Sequence, residues 1–374
     1  MKSFFKITVV MFTISLLALV SVAYAQDMTA INTNSPTTSN LNAVAIVSNS
    51  SSPTLMNSEA WAVGDAGTII MWNGTNWETV NSPTSSNLYG IVMVNSSAGL
   101  AVGGNNTNGV ILKYDGNWST MNVNPSVNST LYGVTADSSG SPAWAVGTNG
   151  TILNWNGNQW SQQTSPTNNT LRSVAMVHGS NNAWAVGDNG TIIQYDGTSW
   201  SNVTSPTMSN LNSIVMVNTT SGWAVGGLAN TGVIINMNGS TWSNWARINF
   251  GGAINTSSGY VVDKINATLN SLSIDNASSA WAAGANGTTL YWTGTEWAGQ
   301  VGVLGGASIN GIAVVHGAES ENSYAWAVGG GGKVLAWTGT AWIPEFPVLM
   351  LPLILSAIAV AAYIGKTRFG KKQI

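Results

Sequence analysis

Residues 183–200 read AWAVGDNGTIIQYDGTSW, two hairpins in succession. Two short apolar runs, 183–186 and 191–195, flank Gly187-Asp188-Asn189-Gly190, where an Asn-Gly pair supplies the positive φ angles of a tight hairpin. Asp196-Gly197-Thr198-Ser199 then turns the chain into a further strand at Trp200. Upstream, the run 171–177 carries one charge, Arg172. The unit therefore predicts four antiparallel strands, A to D.

The same phrase recurs from Leu41 to Trp342. Its A-W-A-V-G element starts at Trp61, Leu100 (a substituted copy), Trp144, Trp184, Trp223, Trp281 and Trp326, with spacings of 39, 44, 40, 39, 58 and 45. A period of about 40–50 residues with four short apolar runs marks the blade of a β-propeller. The sequence thus predicts an all-β, seven-bladed propeller of four-stranded antiparallel blades over residues 26–343, strand A innermost. A latch is expected as well. Residues 28–33 precede Ser35-Pro36-Thr37 as strand D precedes Ser205-Pro206-Thr207, which would pair them on the outer edge of blade 7.

Tryptophans follow the same period. Six stand in strand B (Trp61, Trp144, Trp184, Trp223, Trp281, Trp326), four end strand C (Trp72, Trp155, Trp292, Trp337) and seven open strand D (Trp77, Trp118, Trp160, Trp200, Trp242, Trp297, Trp342), so only Trp245 of the 18 stands outside the repeat. A side chain recurring once per blade reads as packing between sheets rather than as a sugar platform, each indole burying on the order of 150–250 Å².

Both ends read as targeting segments. Lys2 and Lys6, the apolar run 7–22 and Ala23-Tyr24-Ala25 form a secretory signal over residues 1–25, the alternative being an uncleaved anchor. At the other end, the apolar run 348–364 is followed by Lys366, Arg368, Lys371 and Lys372, which the positive-inside rule keeps cytoplasmic. Residues 26–343 are then expected at the extracellular face of the cell membrane, attached by a transmembrane helix. Asn-x-Ser/Thr sequons fit that location, with glycosylation candidates at Asn49, Asn73, Asn95, Asn105, Asn117, Asn128, Asn168, Asn202, Asn218, Asn238, Asn255, Asn266 and Asn276. Asn149, Asn189 and Asn286 start sequons too, but read as hairpin turns.

Three resemblances sharpen this picture. The Asp196-Gly197-Thr198 turn with Trp200 resembles a shortened Asp-box of sialidase-like (BNR) propellers. The whole unit is similar to the repeats of photosystem II assembly factor-like propellers, in phrases such as Gly150-Thr151-Ile152-Leu153. Pro344-Glu345-Phe346-Pro347, with the apolar run and basic tail, resembles the PEF-CTERM sorting signals of archaeal surface proteins. That last resemblance implies an archaeal source, an archaeosortase as partner, and replacement of segment 344–374 by a lipid-type anchor; the alternative is a plain transmembrane helix.

Catalytic chemistry is sparse in this chain. The resemblance to sialidases implies three arginines on a substrate carboxylate, and residues 26–343 hold two, Arg172 and Arg247. Two histidines, His178 and His316, and no cysteine give no metal motif, and no cofactor fingerprint is present. Five basic against 13 acidic residues in 26–343 disfavour nucleic acid as partner.

What departs from the repeat is the connection between Trp242 and Leu269, where the 58-residue spacing falls. It carries Trp245, Arg247, Phe250, Tyr260, Asp263 and Lys264, and together with Asp65 and Asp188 on the same rim it is the expected ligand-binding region; the alternative is a hairpin that only packs. The sequence thus points to a non-catalytic binding or adhesion module for a glycan or an envelope protein. An extracytoplasmic hydrolase or lyase acting on glycans, and an assembly factor for a membrane complex, are the alternatives.

Overall fold

The computed structural model describes residues 33–48, 55, 57–105, 107–123, 126–245, 248–249, 264–276, 279–300, 306–316, 323–337 and 342–343. They form seven sheets, each built on four antiparallel strands in sequence order: blade 1 over 41–79, blade 2 over 88–120, blade 3 over 131–162, blade 4 over 171–202, blade 5 over 210–244, blade 6 over 269–300 and blade 7 over 309–343. Blade 4 is typical, with strand A at Leu171–Met176, B at Ala183–Gly187, C at Ile192–Tyr195 and D at Trp200–Asn202. Strand A lines the axis.

The chain forms these strands because each unit alternates short β-branched runs with turn residues that suit their backbone. Between strands B and C, Asn149, Asn189 and Asn286 adopt φ of 55°, 55° and 56°, the left-handed region that asparagine tolerates; Ala66 takes φ 54° at the same place in blade 1. Between C and D, Asp196 Oδ1 accepts from the amides of Thr198 (2.8 Å) and Ser199 (2.9 Å), and Asn73 Oδ1 repeats the arrangement with Thr75 and Asn76. These are side-chain-capped turns, which is why Asp and Asn recur there.

Blades adhere through the tryptophans. The strand-B indoles Trp61, Trp184 and Trp326 are almost wholly buried, as are Trp72, Trp160 and Trp297. Trp326 of blade 7 lies 4.9 Å from Trp72 and 5.1 Å from Trp77 of blade 1, so the ring closes by the contact used elsewhere. Closure is tight both at the axis, where a Cβ on Gly311 would stand 2.9 Å from Ala43 Cα, and at the rim, where one on Gly332 would stand 2.0 Å from the Thr37 carbonyl. Gly67 meets Thr84 in the same way. Ser35-Pro36-Thr37 therefore serves as the connection between blades 7 and 1, as Ser205-Pro206-Thr207 does between blades 4 and 5. The rest of the expected latch, 28–32, lies outside the described residues, and Thr33 is buried without being in a strand.

Two features differ from the expected plan. Blade 6 has a fifth strand, Ile248–Asn249, running parallel to Trp297–Gln300 at its outer edge. Trp245 belongs to the repeat after all: its amide donates to the Ile234 carbonyl as Val80 does to Ile69 and Val203 to Ile192, each three residues past the strand-D tryptophan. Only the residue type is new at that position, which a tryptophan-only comparison misses.

Candidate functional site

Strand A brings one residue per blade to the mouth of the central channel: Asn42, Tyr89, Tyr132, Arg172, Asn212, Asn270 and Asn310. Each follows the leucine or isoleucine that opens the strand's core-facing pattern, so period-2 alternation turns it toward the axis. Strand A starts beside the B-to-C turn, with Leu41 opposite Gly64 and Leu171 opposite Gly187. The mouth therefore opens on the face of the B-to-C turns and D-to-A connections. It encloses about 330 Å³ and narrows below to small side chains, among them Gly90, Gly133, Ser173, Ser213 and Ser271.

The four asparagines are structural. Asn42 Nδ2 donates to the Leu88 carbonyl, Asn212 to Leu269, Asn270 to Ile309 and Asn310 to Leu41, at 2.8–3.0 Å. Each bond joins one strand A to the next. A neutral amide satisfies a carbonyl that strand pairing leaves open, which is the physical need at a sheet edge facing the axis.

Three consecutive blades abandon this stitch. Tyr89 and Tyr132 pack with their ring centroids 5.1 Å apart and their planes tilted by 51°, and the Arg172 guanidinium carbon lies 5.9 Å from the centre of the Tyr132 ring. Arg172 Nε is held by Asp188 of the same blade's B-to-C turn. The terminal nitrogens of Arg172 have no partner among the described residues, so the guanidinium is oriented yet keeps donors toward the mouth. Burial pushes the Tyr132 phenol up, with Tyr89 adding to the effect, which keeps it a neutral hydrogen-bond donor.

The neighbouring rim is also unequal. Blades 2 and 5 extend their B-to-C hairpins, over Ala98–Asn105 with Asn108–Tyr114 and over Ser221–Leu228 with Thr231–Asn238, where the other five make a single short turn. Leu228 and Met208 are exposed on that rim, at 59% and 79%. An arc of distinctive groups thus runs from blade 2 to blade 5, while blades 6, 7 and 1 present asparagines and short turns.

The residues expected from sequence separate into three sets. Asp65 and Asp188 reach the ring, Asp65 through hydrogen bonds from Asn40 and Asn42 at 2.9 Å. Trp245 is half-buried and packs edge-on against Trp223 and Trp292, both at 5.1 Å, so it serves the junction between blades 5 and 6. Arg247, Tyr260 and Asp263 lie outside the described residues, and Lys264 is exposed beside Ile265, whose carbonyl accepts from Gly232 of the extended blade-5 hairpin. Tyr89, Tyr132 and the axial role of Arg172 were not singled out from sequence. The signal was a single column, N-Y-Y-R-N-N-N, inside a variable position of the strand-A phrase.

On the opposite face His178 Nδ1 lies 3.3 Å from Asp137 Oδ1 of the adjacent blade, and that hydrogen bond holds the Asp137 carboxyl below the usual range. Among the described residues no three His, Asp or Glu side chains gather to hold a metal, and no helix is long and apolar enough to cross a membrane; the apolar run 348–364 is not among them. Chemically, the axial mouth offers stacking surfaces and an oriented cation, which suit binding.

No family model matches the chain, and no curated protein matches it. Solved structures do. A structure described as YCF48 bound to D1 peptide superposes with a TM-score of 0.58 at 15% identity, covering 81% of this chain and 93% of the other. YCF48 from Cyanidioschyzon merolae gives 0.56 at 18% identity, over 82% and 97%. The WD40 repeats of RRP9 give 0.56 at 10% identity, over 76% and 84%. At these identities the likeness is one of fold, and the chain is a seven-bladed β-propeller similar in architecture to YCF48.

Proposed function

We propose that this chain is a non-catalytic binding propeller that takes a protein ligand at its axial mouth. The observation that carries the reading is the loss of the stitching asparagine in three successive blades, replaced by Tyr89, Tyr132 and the Asp188-oriented Arg172. A fold kept symmetric for stability has no need of that arc. Two adjoining phenols and a guanidinium with unspent donors match the flat amides and carboxylates of a peptide. A peptide-bound YCF48 of the same architecture supports a peptide ligand and leaves an assembly role as the narrower form of the proposal.

The cellular setting belongs to the same proposal. The signal-like segment 1–25 would direct the propeller out of the cell, and the Pro344-Glu345-Phe346-Pro347 segment with its apolar run would hold it at the outer face of the membrane, by a helix or by an archaeosortase-exchanged anchor. The candidate acceptor asparagines whose side chains are described, such as Asn73, Asn95, Asn218 and Asn238, are exposed, as glycosylation would require. The insertion residues Arg247, Tyr260, Asp263 and Lys264 remain a second proposed contact for the ligand.

A photo-crosslinking amino acid placed at Tyr132 of the full chain in its native membrane tests the reading. A covalent protein adduct at Tyr132, absent when the crosslinker replaces Tyr291 of blade 6, is the expected result. Adducts at Tyr291 and none at Tyr132 would overturn it.

A further inference from the structure

Leu100 stands where the other six blades carry the strand-B tryptophan. It pairs with Val92 and Lys113 in the register that Trp61 shares with Ala45 and Met71, and Trp184 with Ala175 and Gln194. Where the tryptophan is present and the next blade ends strand C in an aromatic residue, the two rings meet in one geometry. Trp61 with Tyr114, Trp144 with Tyr195, Trp223 with Trp292, Trp281 with Trp337 and Trp326 with Trp72 lie 4.7–4.9 Å apart, at interplanar angles of 51–58°. Blade 3 keeps the receiving pair, Trp155 with Trp160 at 5.7 Å, but at the strand-B position the preceding blade offers it a leucine, and Met121 Sδ, also from that blade, accepts from Trp160 Nε1 at 3.5 Å.

A cavity of about 230 Å³ opens at this junction, lined by Leu100, Val94, Met121 and Trp155, with Lys113 and Tyr114 at its edge. It reaches solvent beside Gly140 and Gly157, on the face away from the axial mouth. Replacing a large core side chain by a small one leaves space that neighbours refill only in part, and apolar cavities of roughly this size take up benzene-like molecules.

We propose that this junction is a binding site for a planar aromatic ring of about indole size, seated against Trp155 in the place the strand-B tryptophan takes elsewhere. The occupant's chemistry is set by the five ring pairs, which show what the receiving surface accepts and at what tilt. Such a ring comes either as a free aromatic molecule or as a partner's aromatic side chain. The site is independent of the axial arc.

Indole titrated into the full chain, labelled with ¹³C at its methionine methyls, tests this. The Met121 resonance, assigned through Met121→Leu, is expected to shift saturably, and Leu100→Trp is expected to weaken indole binding by about tenfold or more while raising the unfolding temperature. A capped Gly-Trp-Gly peptide binding more tightly than indole would assign the ring to a partner, and weaker binding would assign it to a small molecule. No Met121 shift up to the solubility limit of indole, or equal indole affinity in Leu100→Trp, would overturn the proposal. Should Leu100→Trp fail to fold, the Met121 reading in the wild-type chain decides.

Discussion

The side-chain amide of Asn310 donates to the carbonyl of Leu41 at 3.0 Å, joining positions 269 residues apart. Blade 7 is thereby sewn to blade 1 by the bond that Asn270 makes to Ile309 and Asn212 to Leu269. Removing the donor in Asn310→Ala leaves the Leu41 carbonyl to water at a partly exposed site. A loss of about 0.5–1.5 kcal/mol is expected in urea unfolding. An unchanged midpoint would show that the seam does not contribute to closure.

Trp326 is fully buried between Trp72 and Trp77, so Trp326→Ala opens a cavity at the ring's one non-sequential junction. Chemical denaturation should register a loss of about 3–5 kcal/mol. Met208→Ala, at a side chain 79% exposed, should stay within about 0.5 kcal/mol of the parent. Comparable losses in the two variants would contradict the role given to the indoles.

Ala66 holds φ 54° in the turn where blades 3, 4 and 6 place asparagine. Because a left-handed conformation costs alanine more than asparagine, Ala66→Asn should stabilise the chain by about 0.5–1 kcal/mol. Thermal unfolding reads the effect, and a lowered midpoint would count against it.

Asp196 carries a pH dependence with a defined sign. The Thr198 hydroxyl, then the amides of Ser199 and Thr198, bring its carboxyl down to about 2 from 3.8. The folded value lies below the unfolded one, so the stabilisation is complete above 3.8 and is lost as pH falls toward about 2. Relative to Asp196→Asn, which copies Asn73 and Asn156 at the equivalent turns, the parent should lose stability across that window. Parallel acid-unfolding curves would refute the assignment.

Strand boundaries, hairpin turns and inter-blade tryptophans were legible because each depends on residues near one another and recurs in every unit. Blade 4 runs Leu171–Met176, Ala183–Gly187, Ile192–Tyr195 and Trp200–Asn202, within a residue or two of the expectation at each strand described by a range. The axial column was harder to read. Asn42, Tyr89 and Arg172 meet only because seven remote strands converge, and within one blade each looks like an ordinary variable position. The insertion between Trp242 and Leu269, by contrast, stands out in a linear sequence by its irregular length. Trp245 lies at its start, yet its novelty is one of side-chain type at a repeated position.

Recognition is assigned to the axial residues of blades 2 to 4, Tyr89, Tyr132 and Arg172. A peptide array drawn from the proteome of the source cell, probed with the full chain and with Tyr132→Ala/Arg172→Ala, tests it most directly. The double variant should keep its unfolding temperature to within a few degrees and lose about tenfold or more in affinity for every peptide the parent retains. Undiminished binding by that variant, together with loss on deleting residues 250–263, would move the site to the insertion.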